Sequence, residues 1–310
     1  KQTSAQIPGE GLTISPPLKE LTMAPGQSST HKIKVTNPTN KVMEVYPVVY
    51  NFRAKDETGE PFFYPAEEEE AAFSLAHWIS FRETKLALTP EQVVDFNYEI
   101  KVPENAEPGG HYGVVFFATQ PPEISGDLNQ VAIASMIGSL QLVKVPGEII
   151  EQGNLKEFST SKFFLKPPVD FVVRITNLGN VHFKPFGEAV IKNWRGKEVG
   201  EVVVNESKGN VLPESTRKFE QRWEPEIKAF YKIPIGRFKA DLSLVYGDSK
   251  KALSGEVIFW IIPLWLIIVA AAVLLLVIVL TILLIKKKKK REEKYGLTKL
   301  KDNGKRVIIR

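Results

Sequence analysis

The sequence predicts an all-β protein: two tandem β-sandwich domains, then one transmembrane α-helix and a short basic tail. Three observations predict it. Short runs rich in Val, Ile, Phe and Tyr alternate apolar with polar residues and are punctuated by Pro, Gly and Asn. Three landmarks recur in the same order in the two halves of the outer part. One apolar stretch without a charge, Val257–Ile285, ends abruptly in a block of lysines.

The strand candidates are Leu12–Ile14, His31–Thr36, Val42–Phe52, Val93–Val102, Tyr112–Ala118, Val131–Val145, Asp170–Thr176, Glu188–Asn193, Arg217–Trp223 and Phe238–Tyr246. Lys32-Ile33-Lys34-Val35 and Asp241-Leu242-Ser243-Leu244 show the period of two that half-buries a strand. The repeat starts at Val35-Thr36-Asn37-Pro38-Thr39-Asn40, which matches Ile175-Thr176-Asn177-Leu178-Gly179-Asn180. Asparagine suits such turns because it bonds its own backbone and tolerates left-handed φ. Leu88-Thr89-Pro90-Glu91 then parallels Leu212-Pro213-Glu214, and Pro108-Gly109-Gly110 parallels Pro234-Ile235-Gly236. Strands at this spacing suggest Ig-like sandwiches over 7–147 and 148–257, divided near Val145-Pro146-Gly147. Residues 1–6 read as a linker or the remnant of a signal peptide, since Thr3-Ser4-Ala5 before Gln6 resembles a cleavage site. Arg53–Ala76 is an insertion in the first domain, with Glu67–Glu70 expected in a solvated loop.

The membrane helix is expected over 258–285 and the cytoplasmic tail over 286–310. Pro263 to Ile285 is 23 residues, about 34 Å of helix against a hydrocarbon core of about 30 Å. Pro263 suits a first turn, and Trp260 and Trp265 suit the headgroup boundary. Lys286, Lys287, Lys288, Lys289, Lys290 and Arg291 form a stop-transfer block, so the N-terminal part is expected outside the cell and the tail inside. Residues 286–310 hold twelve Lys/Arg against three Asp/Glu, a net +9, and the other 285 residues carry −4. The outer part therefore has no basic footprint for nucleic acid. Tyr295–Arg310 has no long apolar face and is expected to lack structure.

No catalytic constellation emerges. The chain has no cysteine, which excludes disulfides, a thiol nucleophile and thiolate metal ligands. His31, His77, His111 and His182 show no metal-ligand spacing and read as strand or turn residues. SxxK occurs three times, from Ser29, Ser159 and Ser215, each in a strand or turn context and without companion elements. Asn205-Glu206-Ser207 is a glycosylation sequon, relevant only in a eukaryotic secretory route. The expectation is a non-enzyme with no cofactor and no metal. Candidate ligand contacts are the aromatics Phe62, Phe63 and Tyr64, and Trp194 beside Arg195-Gly196 at a hairpin turn. Trp78 reads as core.

The N-terminal half, with Met23-Ala24-Pro25-Gly26-Gln27, Val35-Thr36-Asn37, Trp78-Ile79, Leu88-Thr89-Pro90 and Pro108-Gly109-Gly110-His111-Tyr112-Gly113, resembles the peptidoglycan-binding domain of WxL-interacting proteins of Gram-positive bacteria. The second half, with Asn177-Leu178-Gly179-Asn180-Val181-His182 and Gly236-Arg237-Phe238 ahead of an anchor, resembles that family's partner-binding domain. The resemblance implies a single-pass bacterial cell-surface scaffold that contacts cell-wall peptidoglycan or a surface protein. The alternative is an assembly or signalling component whose sandwiches bind partners by strand addition and whose tail recruits a cytoplasmic protein.

Overall fold

The structure, a computed structural model, describes residues 11–121, 136–227 and 233–304. In the first sandwich, β1 (Thr13–Ser15) and β2 (Leu18–Thr22) precede β3 (Ser28–Thr36), β4 (Met43–Ala54) and β5 (Pro61–Tyr64). A helical turn, α1 (Leu75–Trp78), and β6 (Ile79–Ser80), β7 (Leu86–Leu88), β8 (Val93–Lys101), β9 (Gly109–Ala118) and β10 (Met136–Val145) complete it. One sheet runs β1-β3-β8-β6, the other β2-β10-β9-β4-β5, with β7 paired to β4. The second sandwich comprises β11 (Gly153–Thr160), β12 (Phe163–Phe164), β13 (Val169–Asn177), β14 (Phe186–Asn193), β15 (Glu198–Val204), β16 (Thr216–Trp223), β17 (Gly236–Tyr246) and β18 (Lys251–Ile261). Its sheets are β11-β13-β16 and β12-β18-β17-β14-β15. In both sandwiches the first strand pair divides between the sheets: β2 joins β10 in parallel, and β12 joins β18 in parallel.

Each sandwich has its own core. Ile33, Val35, Phe96, Tyr98, Val115 and Phe117 fill the first, with Trp78. Phe171, Ile175, Ile191, Phe238, Leu242 and Phe259 fill the second, with Trp223. The repeat reflects one structural device used twice. Asn37 and Asn177 are both fully buried. Asn37 Nδ2 donates to Lys41 O (2.7 Å) and Leu88 O (3.1 Å), and Thr39 N–H donates to its Oδ1 (3.1 Å). Asn177 Nδ2 donates to Val181 O (2.8 Å) and Val211 O (3.0 Å), and Gly179 N–H donates to its Oδ1 (2.9 Å). Each amide thus ties the end of one strand to the turn that follows and to a facing segment, satisfying buried backbone groups that water cannot reach. The second landmark also coincides: Glu91 and Glu214 both have φ of +56°.

Each expected run contains a strand, while 131–135 lies outside the described residues, as do 1–6 and the last residues of the tail. Trp78 lies in the core as expected, on one helical turn that leads into a short strand. The start of the apolar helix requires correction. Residues 258–261 belong to β18, not to the helix, and Trp260 stands on that strand opposite Arg237. Phe259 and Ile261 point into the core while Ile258 and Trp260 face outward. From Val257 on, both faces of the strand are apolar, so its end is indistinguishable in composition from the span it leads into. Pro263, which lacks a ladder donor, separates the two, and its carbonyl accepts from Leu266 N–H (3.0 Å). Helix α2 spans Leu264–Gly304, so it continues through Lys286–Arg291 and covers much of the tail expected to be unstructured. The most apolar 18-residue window of its Leu264–Glu292 portion has mean hydropathy 3.5, and none of that window is covered by protein. A core helix of a soluble domain would be covered. This helix is long and apolar enough to cross a membrane.

Candidate functional site: the cleft between the sandwiches

Three contacts clamp the sandwiches together. The first splints the connecting segment. Asn180 Nδ2 donates to Pro108 O (3.1 Å) and Glu148 O (2.8 Å), its Oδ1 accepts from Ile150 N–H (2.8 Å), and its carbonyl accepts from Gly110 N–H (2.8 Å). Beside it, Tyr112 on β9 meets His182. The phenol oxygen accepts from His182 N–H (2.9 Å) and lies 3.2 Å from His182 Nδ1. Burial pushes the His182 pKa down to about 4, against the opposing pull of Glu20. The ring is therefore neutral near pH 7, and its Nδ1 shares a hydrogen bond with the phenol O–H group. Burial likewise raises the Tyr112 pKa, so that proton stays in place.

The second contact is polar. Glu20 on β2 pairs with Lys184 Nζ (2.7 Å) and accepts from Asn210 Nδ2 (2.9 Å), and Lys144 on β10 pairs with Asp248 (2.5 Å). Burial opposes ionisation of Glu20, but the bonds from Lys184 and Asn210 outweigh it and hold the carboxyl below its ordinary value. The third contact comes from the β4–β5 hairpin tip. Glu57 O accepts from Lys218 N–H (2.7 Å), and its carboxylate lies 2.7 Å from Arg174 Nε and 3.6 Å from Lys156 Nζ.

Between these contacts lies a cleft of about 230 Å³, walled by Leu18, Phe52, Leu140 and Leu142 of the first sandwich and Leu212 of the second. The first sandwich contributes an outward apolar face here, since Phe52, Val114, Phe116 and Leu142 form a cluster outside its own core. Arg217 of β16 lines this cleft. Its guanidinium is wedged between Gly59 and Gly209, and a Cβ at Gly209 would come within 2.6 Å of Cζ. Nη1 donates to Asn210 O (2.7 Å), and the group lies 5.5 Å from the Phe219 ring centroid. Among the described residues no carboxylate pairs with it. Asp56 and Glu60 also line the cleft, but Asp56 is taken by Thr58 and Glu60 by Lys55. Burial alone pushes the arginine pKa below its ordinary value, with no anion offsetting that cost. The site can thus accept an apolar group and a carboxylate together.

The anticipated ligand aromatics lie elsewhere. Phe62, Phe63 and Tyr64 sit on β5, an edge strand. Phe63 packs edge-on to Phe116 (4.8 Å) and Phe52 (6.3 Å), so it is largely structural. Phe62 is partly exposed beneath Arg53 (5.1 Å), and Tyr64 donates to Glu69 (3.1 Å). Trp194 stands exposed at the β14–β15 hairpin tip of the other sandwich, under Arg195 (4.5 Å). The structure does not bring these aromatics into one groove. Trp265 is half-buried in the first turn of α2, and Lys286–Arg291 are exposed along it. Arg217 and His182 were not anticipated as site residues. One signal for Arg217 existed: it shares the phase of Phe219 and Trp223 on β16, which places a cation on the inward face of a strand.

No family model and no curated protein matches the chain. Among solved structures, it is similar to the class 5 fimbriae chaperone CfaA, with 13% identity over 82% of this chain and 100% of that one and a TM-score of 0.39. It is also similar to the Pseudomonas aeruginosa CupB2 chaperone, with 10% identity over 79% and 98% and a TM-score of 0.36. A CsuC–CsuE chaperone–tip adhesion subunit complex of Acinetobacter baumannii gives 11% identity over 79% and 97% and a TM-score of 0.36. Overlaps this low carry no functional weight.

Proposed function

We propose that this protein is a single-pass membrane scaffold whose sandwiches stand outside the cell, whose lysine-rich tail stays in the cytoplasm, and whose interdomain cleft holds a carboxylate-bearing surface ligand. The observation that carries the binding reading is Arg217, a half-buried cation in a largely apolar cleft with no counter-ion among the described residues. Such a group gains most from an anion brought by a partner, because its desolvation is already paid for by the fold. The lysine block after the apolar helix carries the topology. The resemblance of the turn motifs to WxL-interacting proteins makes cell-wall peptidoglycan, with its carboxylate-bearing peptide stems, the first ligand to test and a surface protein the second.

The test is retention of the full-length protein, held in lipid nanodiscs, by purified peptidoglycan sacculi. A charge-assisted hydrogen bond is worth about 1.5–3 kcal/mol, so Arg217→Ala should weaken retention at least about ten-fold. Arg217→Lys, which keeps the charge but not the fork, should fall between. Retention no better than that of empty nanodiscs would exclude peptidoglycan, and equal retention of all three proteins would remove the cleft from the account. Strand addition is the second reading, favoured by β15, an edge strand that leaves Val199 and Val203 partly exposed.

A further inference from the structure

The end of the second sandwich from which the helix leaves has an unusual surface. Residue pairing fixes what lies there. Ile261 is opposite Gly236, Trp260 is opposite Arg237 on one side and Phe163 on the other, and Asn193 is opposite Phe238. The last residues of β18 and β14, the first of β17, and β12 therefore share one end of the sheet. Four large apolar side chains are exposed there: Phe163 (66%), Trp194 (62%), Leu165 (53%) and Trp260 (40%). Trp194 reaches across to the start of β17, its Cδ1 3.5 Å from where a Gly236 Cβ would be. Lys162 and Arg195 stand among these aromatics, exposed and without a carboxylate partner among the described residues.

The connection to the helix leaves this end little freedom. Only Ile262 and Pro263 separate β18 from α2. Ile262 N–H donates to Phe164 O (2.8 Å) and Trp260 N–H to Lys162 O (2.8 Å), so the chain is bonded to the sheet almost to the first helical residue. Two residues span at most about 7 Å. If α2 crosses a bilayer, the exposed aromatics are held at its surface, where Trp favours the headgroup layer and Lys and Arg meet lipid phosphates.

We propose that this end of the second sandwich docks on the membrane surface, with Trp194, Phe163 and Leu165 among the lipid headgroups and Lys162 and Arg195 against their phosphates. The inference rests on the membrane-spanning reading of α2. Its consequence is a fixed orientation. The eleven residues of β17 run from this end to Tyr246, whose hydroxyl accepts from Gly153 N–H beside the first sandwich. At about 3.3 Å per residue, that holds the cleft roughly 35 Å from the lipid.

The chain has no cysteine, so single introduced cysteines can carry an environment-sensitive fluorophore. Leu165→Cys and Lys197→Cys report on the proposed patch without removing Trp194 or Phe163. Val42→Cys reports on the far sandwich and Leu275→Cys on the helix. Each full-length variant is placed in phosphatidylcholine–phosphatidylglycerol nanodiscs with spin-labelled lipid. We expect labels at 165 and 197 to emit blue-shifted light and to be quenched several-fold more than the label at 42 by a headgroup spin label. Water-like, unquenched emission at 165 and 197, with the label at 275 quenched by an acyl-chain spin label, would overturn the docking while leaving the span intact. A label at 275 that no lipid quenches would overturn both.

Discussion

Replacing Tyr112 by phenylalanine removes one oxygen atom and should loosen the docking of two domains. The ring keeps its packing against Phe52 (5.8 Å) and His182 (5.5 Å), so neither core changes. What is lost is the hydroxyl that serves both His182 N–H and Nδ1. Each polar group left without a partner in an enclosed contact costs about 1–3 kcal/mol, and water entering the loosened contact offsets part of that, so about 2–4 kcal/mol is expected. At 2 kcal/mol the docked-to-undocked ratio falls roughly 30-fold. Spin labels at Val42→Cys and Val199→Cys, one on each sandwich, report the separation directly. The parent should give one narrow distance distribution, and Tyr112→Phe a broadened one. An unchanged distribution would show that the sandwiches are held by the Glu20, Lys144 and Glu57 contacts and not by this pair.

Acid should act on the same contact. Unperturbed histidine titrates near 6.5 and docked His182 near 4, so between these values the undocked state takes up a proton that the docked state refuses. The contribution of neutral His182 to docking is fully present above about pH 6.5 and is lost progressively as pH falls to about 4, by up to roughly 3 kcal/mol, which the same spin-label pair would report. Asn177→Ala deletes three buried hydrogen bonds and should cost roughly 3 kcal/mol, lowering the melting temperature of the second sandwich by over 10 °C or so, and Asn37→Ala should do the same to the first. Gly59→Ala places a Cβ against the Arg217 guanidinium at a φ of +85°, costing about 1–2 kcal/mol, and should lower sacculus retention as Arg217→Ala does.

The parts of the fold legible from sequence were those with local causes. Alternation marked the strands, and the Thr-Asn turns marked the repeat because a buried asparagine amide needs the same neighbours each time. The start of the helix was obscure because the last five residues of β18 are apolar on both faces and run into the helix with only Pro263 as punctuation. Arg217, Tyr112 and His182 were obscure for another reason. Their roles come from contacts between residues 59, 112, 182 and 217, which no spacing rule connects. Trp194 was legible as an exposed hairpin-tip residue, but its neighbours Phe163 and Trp260 depend on strand pairing.

The account stands on the helix carrying the sandwiches outward. Cysteines introduced singly at Val42 and Lys299, probed in intact cells with a membrane-impermeant maleimide, test it directly. Labelling at 42 at once, and at 299 only after permeabilisation, is the predicted result. Labelling at 299 in intact cells with 42 protected would contradict it.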